Sequence, residues 1–265
     1  MHITRDGHIH TPFCPHGSTD SFHAYIERAL HEGLDTITFT EHAPLPEGFT
    51  DPVPEKDSAM AQSDLEQYIE TLQGLKKEYH SDITILTGLE IDYIEGFEAR
   101  TKTRLNEIGP YLDDSILSVH FLRAADTYFC LDYSLDSFGD FVQAAGAMEN
   151  AVNIYFDTLL HSIKSDLGPY KPRRLGHMTL IKKFQKKFPP LDITPYTRSV
   201  LDAVSLQNMT IDFNGAGLAK KWCGEPYPDL DTAREALKRD IPLIYGSDAH
   251  QAEDMMQGAE SVTGL

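Results

Sequence analysis

The sequence predicts an α/β protein built on a mostly parallel sheet of barrel size, and three observations predict it. Short apolar runs alternate with segments of helical periodicity along the chain, the signature of repeated βα units. The length of 265 residues suits one α/β barrel, which reaches about 200–250 residues, so a single domain over 1–265 is expected. Histidines and acids recur where the apolar runs end, and a parallel barrel opens all its strand C-termini on one face.

The first strand is read at residues 6–11, Asp-Gly-His-Ile-His-Thr. Beyond a Pro/Cys/Gly loop, Phe22, Tyr25, Ile26, Ala29 and Leu30 recur at helical spacing. Ser18, Thr19 and Asp20 are the N-cap candidates, and Gly33 stands where a helix ends. Thr36–Thr40 is the second strand, and Leu65, Tyr68, Ile69, Leu72 and Leu75 share one face of the next helix. Ile83–Ile91, Ser115–Val119, Arg174–Met178, Thr210–Phe213 and Pro242–Tyr245 bring the strands to seven. The longest insertion is about 122–172. Its second half, Phe138 to Ile163, reads as helix on the spacing of Phe141, Val142, Ala145, Met148, Val152 and Tyr155.

Composition excludes several classes. The net charge of −18 argues against a protein that tracks nucleic-acid backbones or binds an anionic membrane surface, since both need clustered Lys and Arg. It leaves a small phosphate ester open, because a few cations in a cleft reverse the local field. Three well-separated cysteines, Cys14, Cys130 and Cys223, form no disulfide framework or thiolate zinc motif, and Cys14 is read as a small packing residue. There is no signal-peptide core and no run of ~18 apolar residues. A reduced, soluble, cytoplasmic protein is expected.

The chemistry gathers at the strand ends. His8 and His10 end strand one, His42 follows strand two, Glu90 ends strand three, His120 strand four and His177 strand five, while Asp248 and His250 follow strand seven. His16 lies in the first loop. Two residues apart on an extended strand, His8 and His10 point the same way, and Asp248 and His250 repeat the spacing. Seven imidazoles and two carboxylates exceed the three protein ligands usual for one catalytic zinc, so two or three ions are expected. Singly, each has a bland reading as a surface, turn or capping residue; His2, His23, His31, His80 and His161 keep it.

These residues resemble a known family. His-Ile-His at 8–10, Thr-Glu-His at 40–42, Gly-Leu-Glu-Ile-Asp at 88–92, Ser-Val-His at 118–120, Gly-His at 176–177 and Ser-Asp-Ala-His at 247–250 look like the motif set of the polymerase-and-histidinol-phosphatase (PHP) metalloenzymes. His-Thr-Pro-Phe-Cys-Pro-His-Gly at 10–17, Phe-Thr-Glu-His-Ala-Pro-Leu-Pro at 39–46 and Gly-Glu-Pro-Tyr-Pro at 224–228 are most similar to its monofunctional histidinol-phosphatases. The resemblance implies a distorted (β/α)7, TIM-barrel-like fold with a trinuclear centre, and hydrolysis of histidinol phosphate in histidine biosynthesis. It places one ion on His8, His10 and Asp248, has Glu90 bridge to a second on His120 and His177, and puts a third on His16, His42 and His250. Zinc, iron and manganese all suit such a shell. Glu41 is a candidate to orient a ligating imidazole.

The expected reaction uses hydroxide generated at the ions, in-line attack on phosphorus, and a proton for the leaving alkoxide from Asp248, His250 or a bound water. Arg173, Arg174, Lys220 and Lys221 are the candidate cations for the phosphate. Leu45–Asp57 and the long insertion, with Asp126, Tyr128, Asp132 and Tyr133, are expected to set specificity. The competing readings are a PHP-type phosphoesterase acting on nucleotides, a C–N hydrolase, and a binding module whose metals only hold the fold.

Overall fold

The computed structural model describes residues 2–188 and 191–263. All seven expected strands are present: β1 (Arg5–Ile9), β2 (Thr36–His42), β3 (Thr84–Asp92), β4 (Ile116–Ser118), then, beyond a hairpin of β5 (Phe121–Ala124) and β6 (Thr127–Cys130), β7 (Arg174–Leu175), β8 (Thr210–Asn214) and β9 (Leu243–Gly246). They form one sheet in the order β1-β2-β3-β4-β7-β8-β9, and every pairing within it is parallel. Strands β2 and β3 are buried along nearly their whole length, as a parallel sheet covered on both faces requires.

The sheet curls until its edges meet, which makes it a distorted seven-stranded barrel. The Asp248 amide donates to the His8 carbonyl at 2.8 Å and the His10 amide to the Ala249 carbonyl at 2.9 Å. Those bonds lie beyond the end of β9, so the closure sits at the C-terminal rim. The distortion is visible in β7, a strand of two residues where the sequence suggests five.

Helices α1 (Phe22–His31), α2 (Leu65–Glu78) and α3 (Glu98–Ile108) cover the first half of the barrel. The apolar stripe of α2 is buried as expected. In α1 the N-cap is Ser21, whose hydroxyl accepts from the Ala24 amide, and not one of the three residues before it. Ser18 instead accepts from the Asp20 amide, and Asp20 accepts from the Ala252 amide; both side chains are spent tying the loop down. Leu30 lies 38 % exposed, so the apolar stripe stops at Ala29.

The insertion holds the hairpin and two helices, α4 (Leu135–Ala144) and α5 (Met148–Lys164), where periodicity alone suggests one. Gly146, at φ +84°, takes the left-handed conformation that ends helices, and the chain restarts at Ala147. The remaining helices are α6 (Thr194–Leu206), α7 (Ala216–Ala219), α8 (Leu230–Lys238) and α9 (Ala259–Val262). Among the described residues no helix is long and apolar enough to cross a membrane. A small apolar cluster of Val53, Ile94, Phe121 and Cys130, flanked by Leu45, Phe49, Phe97 and Tyr128, fastens the 45–57 loop to the hairpin above the rim.

Candidate metal centre

The nine predicted ligands do converge. His8 and His10 leave β1 side by side with ring centroids 5.3 Å apart, and both are fully buried. Asp248 meets them through a left-handed backbone, φ +55°, rather than on the extended strand its spacing suggests. That turn sets its Oδ1 3.2 Å from His10 Nε2 and 3.8 Å from His8 Nε2.

Glu90 stands in the middle. Its Oε2 lies 3.3 Å from His8 Nε2, 3.2 Å from His42 Nδ1 and 3.6 Å from His10 Nε2. Its Oε1 lies 2.9 Å from His177 Nε2 and 3.7 Å from His120 Nε2. His120 and His177 follow β4 and β7, and their Nε2 atoms are 3.1 Å apart. The rings of His16, His42 and His250 lie 5.1–5.9 Å from one another. Donor atoms of His8, His10 and Asp248, and of Glu90, His120 and His177, each fall within 4.8 Å. Those two groups match the first two ion sites the resemblance implies.

Orienting partners fix the rings. His8 Nδ1 lies 2.8 Å from Asp212 Oδ2, His10 Nδ1 3.2 Å from Glu41 Oε1, His120 Nδ1 2.8 Å from Asp92 Oδ1, and His16 Nδ1 donates to the Asp57 carbonyl at 2.8 Å. Each bond holds Nδ1 and leaves Nε2 for an ion, the usual arrangement around ligating histidine. Glu41, the candidate for orienting an imidazole, lies beside His10. Asp92, the last residue of β3, and Asp212, within β8, were missed.

The electrostatics fit divalent cations. Burial would push the Glu90 carboxyl up, but the imidazoles of His8, His120 and His42 hold it well below the usual range. Asp248 is held down in the same way by His8, His10 and His250. Against burial, Asp248 and Glu41 raise His10 to about 9, and Asp92 and Glu90 raise His120 to about 10. Burial and the neighbouring His10 keep His42 and His250 well below the ordinary histidine value, which leaves them neutral. Crowded imidazoles around two carboxylates, with His10 Nε2 and His42 Nδ1 buried and without a hydrogen bond, are a donor set that bound ions would satisfy.

Cys14 is buried near His10, His42 and His250. Its sulfur lies within 4.8 Å of donor atoms of those three histidines, and in the metal-free protein burial and the Glu41 carboxylate push the thiol up. His23 and His80 pair locally with Glu78 and the Lys77 carbonyl, outside the centre.

Above the cluster opens a cleft of about 430 Å³, lined by His16, His42, Glu90, His120, His177, Asp248 and His250, with His8 and His10 buried beneath, and by Val53, Asp57, Asp132, Tyr133, Lys183 and Tyr227, among others. Of the four cations proposed for the phosphate, Lys220 lines it. Arg174 does not: it is 2 % exposed and its Nη2 donates to Asp114 Oδ2 at 2.6 Å. Arg174 begins β7 and Arg173 directly precedes it, and strand starts lie at the opposite end of a parallel barrel from the ligands. Lys221 stacks on Trp222, 4.5 Å from the ring centroid. Lys183 was missed; it reaches the cleft on a short helical turn after His177, with Nζ 2.9 Å from Asp132 Oδ2. Asp132 and Tyr133 line the cleft as foreseen. Asp126 is exposed in the hairpin turn beside Arg123, and Tyr128 packs on Phe49 and donates to the Glu95 carbonyl.

The PHP domain model matches residues 6–216. The chain belongs to the PHP family. Its PHP relatives include the histidinol-phosphatase of Bacillus subtilis, 51 % identical over 255 residues, 95 % of each chain. A Deinococcus radiodurans protein provisionally named for the same activity is 32 % identical over 250 residues, 93 % of this chain and 86 % of that one. Among solved structures, a provisionally named histidinol phosphatase of Listeria monocytogenes superposes with a TM-score of 0.93 at 38 % identity, covering 97 % of this chain and 99 % of that one. The histidinol phosphate phosphatase of Lactococcus lactis, solved with zinc, L-histidinol and phosphate, shares the PHP fold at a TM-score of 0.72 and 18 % identity, over 94 % of this chain and 87 % of that one.

Proposed function

We propose that the chain hydrolyses L-histidinol phosphate to L-histidinol and phosphate, a step of histidine biosynthesis, at a centre of three divalent ions drawn from zinc, iron or manganese. The observation that carries the reading is the gathering of nine N/O donor side chains at and beneath the floor of one cleft, in a chain whose full-length relatives are named for that activity. His8, His10 and Asp248 would hold one ion, His120 and His177 a second with Glu90 between them, and His16, His42 and His250 the third. Bound ions would lower the pKa of coordinated water toward about 7 and offset charge on phosphoryl oxygens.

The protein's own groups do the rest. Asp212, Glu41 and Asp92 hold the ligand rings in register, so no reorganisation is needed during the reaction. Lys183 and Lys220 are the cleft cations placed to meet the phosphate. Asp57 and Asp254 also line the cleft and suit the cationic amine of the alcohol half, while Asp132 is engaged by Lys183. Asp248 and His250 face the same space and are the side chains nearest to hand for protonating the leaving alkoxide.

The test is phosphate release by metal-replete protein across L-histidinol phosphate, mononucleotides and p-nitrophenyl phosphate. Strong preference for L-histidinol phosphate, abolished by a chelator, is expected. Flat or nucleotide-biased turnover would replace the substrate while keeping the metal centre.

A further inference from the structure

Of the nine candidate ligands, His16 is the exposed one, and it lies in a loop rather than at a strand end. The rings of His8, His10 and His120 are each held by a carboxylate carried on a barrel strand. His16 Nδ1 is held instead by a main-chain acceptor, the Asp57 carbonyl, at 2.8 Å. That carbonyl belongs to a segment, residues 51–58, without helix or strand. The orientation of His16 is therefore only as firm as the segment that carries Asp57. One side chain gathers that segment. Asp51 is 7 % exposed. Its Oδ1 accepts from the Val53 amide at 2.9 Å and the Ser58 hydroxyl at 3.0 Å, and its Oδ2 accepts from the Ser58 amide at 3.1 Å. Val53, inside the clamped span, is anchored in the apolar cluster with Ile94, Phe121 and Cys130.

The Ser58 amide and the Asp57 carbonyl are the two ends of one peptide group, and that peptide is trans. A trans peptide is planar and directs its N–H and C=O to opposite sides. Fixing the N–H on Asp51 therefore aims the C=O at His16, and a turn of the plane would take the acceptor away from the ring. We infer that Asp51 is a positioning residue for the His16 ligand. Through the Asp57–Ser58 peptide it sets the ring, so that retention of the ion proposed on His16, His42 and His250 depends on it. The inference rests on the metal reading above. A carboxylate suits this place because the three groups that face it are all donors. The bond to the amide also polarises the peptide and strengthens its carbonyl as an acceptor.

The experiment strips the ions from the whole protein and titrates cobalt(II) back into wild type, Asp51→Ala and Asp51→Asn, following the visible spectrum. Losing a group that orients a ligating histidine costs about 10–100-fold in metal affinity. Asp51→Ala should weaken one of the three ions by that factor and leave the other two as in wild type. His16→Ala should weaken the same ion, recognised by the same missing absorption. Asp51→Asn keeps one acceptor oxygen and should fall between wild type and the alanine variant. Three ions held by Asp51→Ala with wild-type affinity overturn the inference. Equal weakening of all three also overturns it, since Asp51 would then be a support of the whole fold. Should Asp51→Ala fail to fold, as read by far-UV circular dichroism, Asp51→Asn decides by the same two criteria. A wild-type protein that holds only two ions would overturn the metal reading at its third site and this inference with it. That outcome is seen without any variant, so the two failures are separable.

Discussion

Replacing Glu90 by Gln tests the logic of the centre most directly. The substitution keeps the side chain's volume and the 2.6 Å bond donated by Ser118 Oγ. It removes one charge from a carboxylate that is 1 % exposed and faces five imidazoles, with contacts to His8, His42 and His177 between 2.9 and 3.3 Å. It also puts an NH2 donor where one of the acceptor oxygens stood. Breaking a buried charge pair by removing one partner costs about 3–5 kcal/mol, equivalent to roughly two to three and a half orders of magnitude in affinity. Chelator competition on dialysed protein should therefore show weaker retention of the ions proposed to sit beside Glu90, the His42 site included, since His42 Nδ1 lies 3.2 Å from Glu90 Oε2. Phosphate release should fall in step with metal content. Full occupancy at unchanged affinity together with wild-type turnover would refute the bridging role and the electrostatic account behind it.

Three further outcomes are expected. Without ions, His10 and His120 titrate near 9 and 10, so both are protonated at neutral pH. Ions take the neutral ring, so loading should release protons and affinity should climb with pH until those values are passed. The stability these raised histidines lend the metal-free protein has the opposite sense: it is full below about pH 6.5, their unfolded value, and is lost as pH rises through 9–10. Calorimetry in buffers of different ionisation enthalpy reads the proton release, and none at pH 7 would contradict the assignment. Asp92→Asn keeps a hydrogen-bond acceptor for His120 but removes the charge, and should lower metal affinity by about 10–100-fold with the far-UV spectrum intact. Gly88→Ala should destabilise the barrel by about 1–3 kcal/mol or more, read by urea unfolding, because its Cβ would fall 2.0 Å from the Asp114 carbonyl oxygen.

The parts of this protein legible in its sequence are those governed by local periodicity and residue chemistry. Seven apolar runs gave seven strands, and ligand-type side chains at their ends gave the candidate metal centre, because a parallel barrel brings strand C-termini together whatever the loops do. The buried face of α2 could be read the same way. What the sequence left open depended on position along the barrel axis and on contacts between distant segments. Arg174 is near His177 in the chain but belongs to the strand's other end, held by Asp114. Lys183 comes to the cleft from a segment without a recognisable phosphate motif. Asp92 and Asp212 declare themselves only when each is seen beside the imidazole it holds. The break at Gly146 was masked by an apolar spacing that runs through it, because periodicity registers side chains and not the sign of φ. The sequence by itself determined the donor set and the face on which it lies; the tertiary structure decided which donors meet and which cations reach the cleft, because those are set by chain closure and packing.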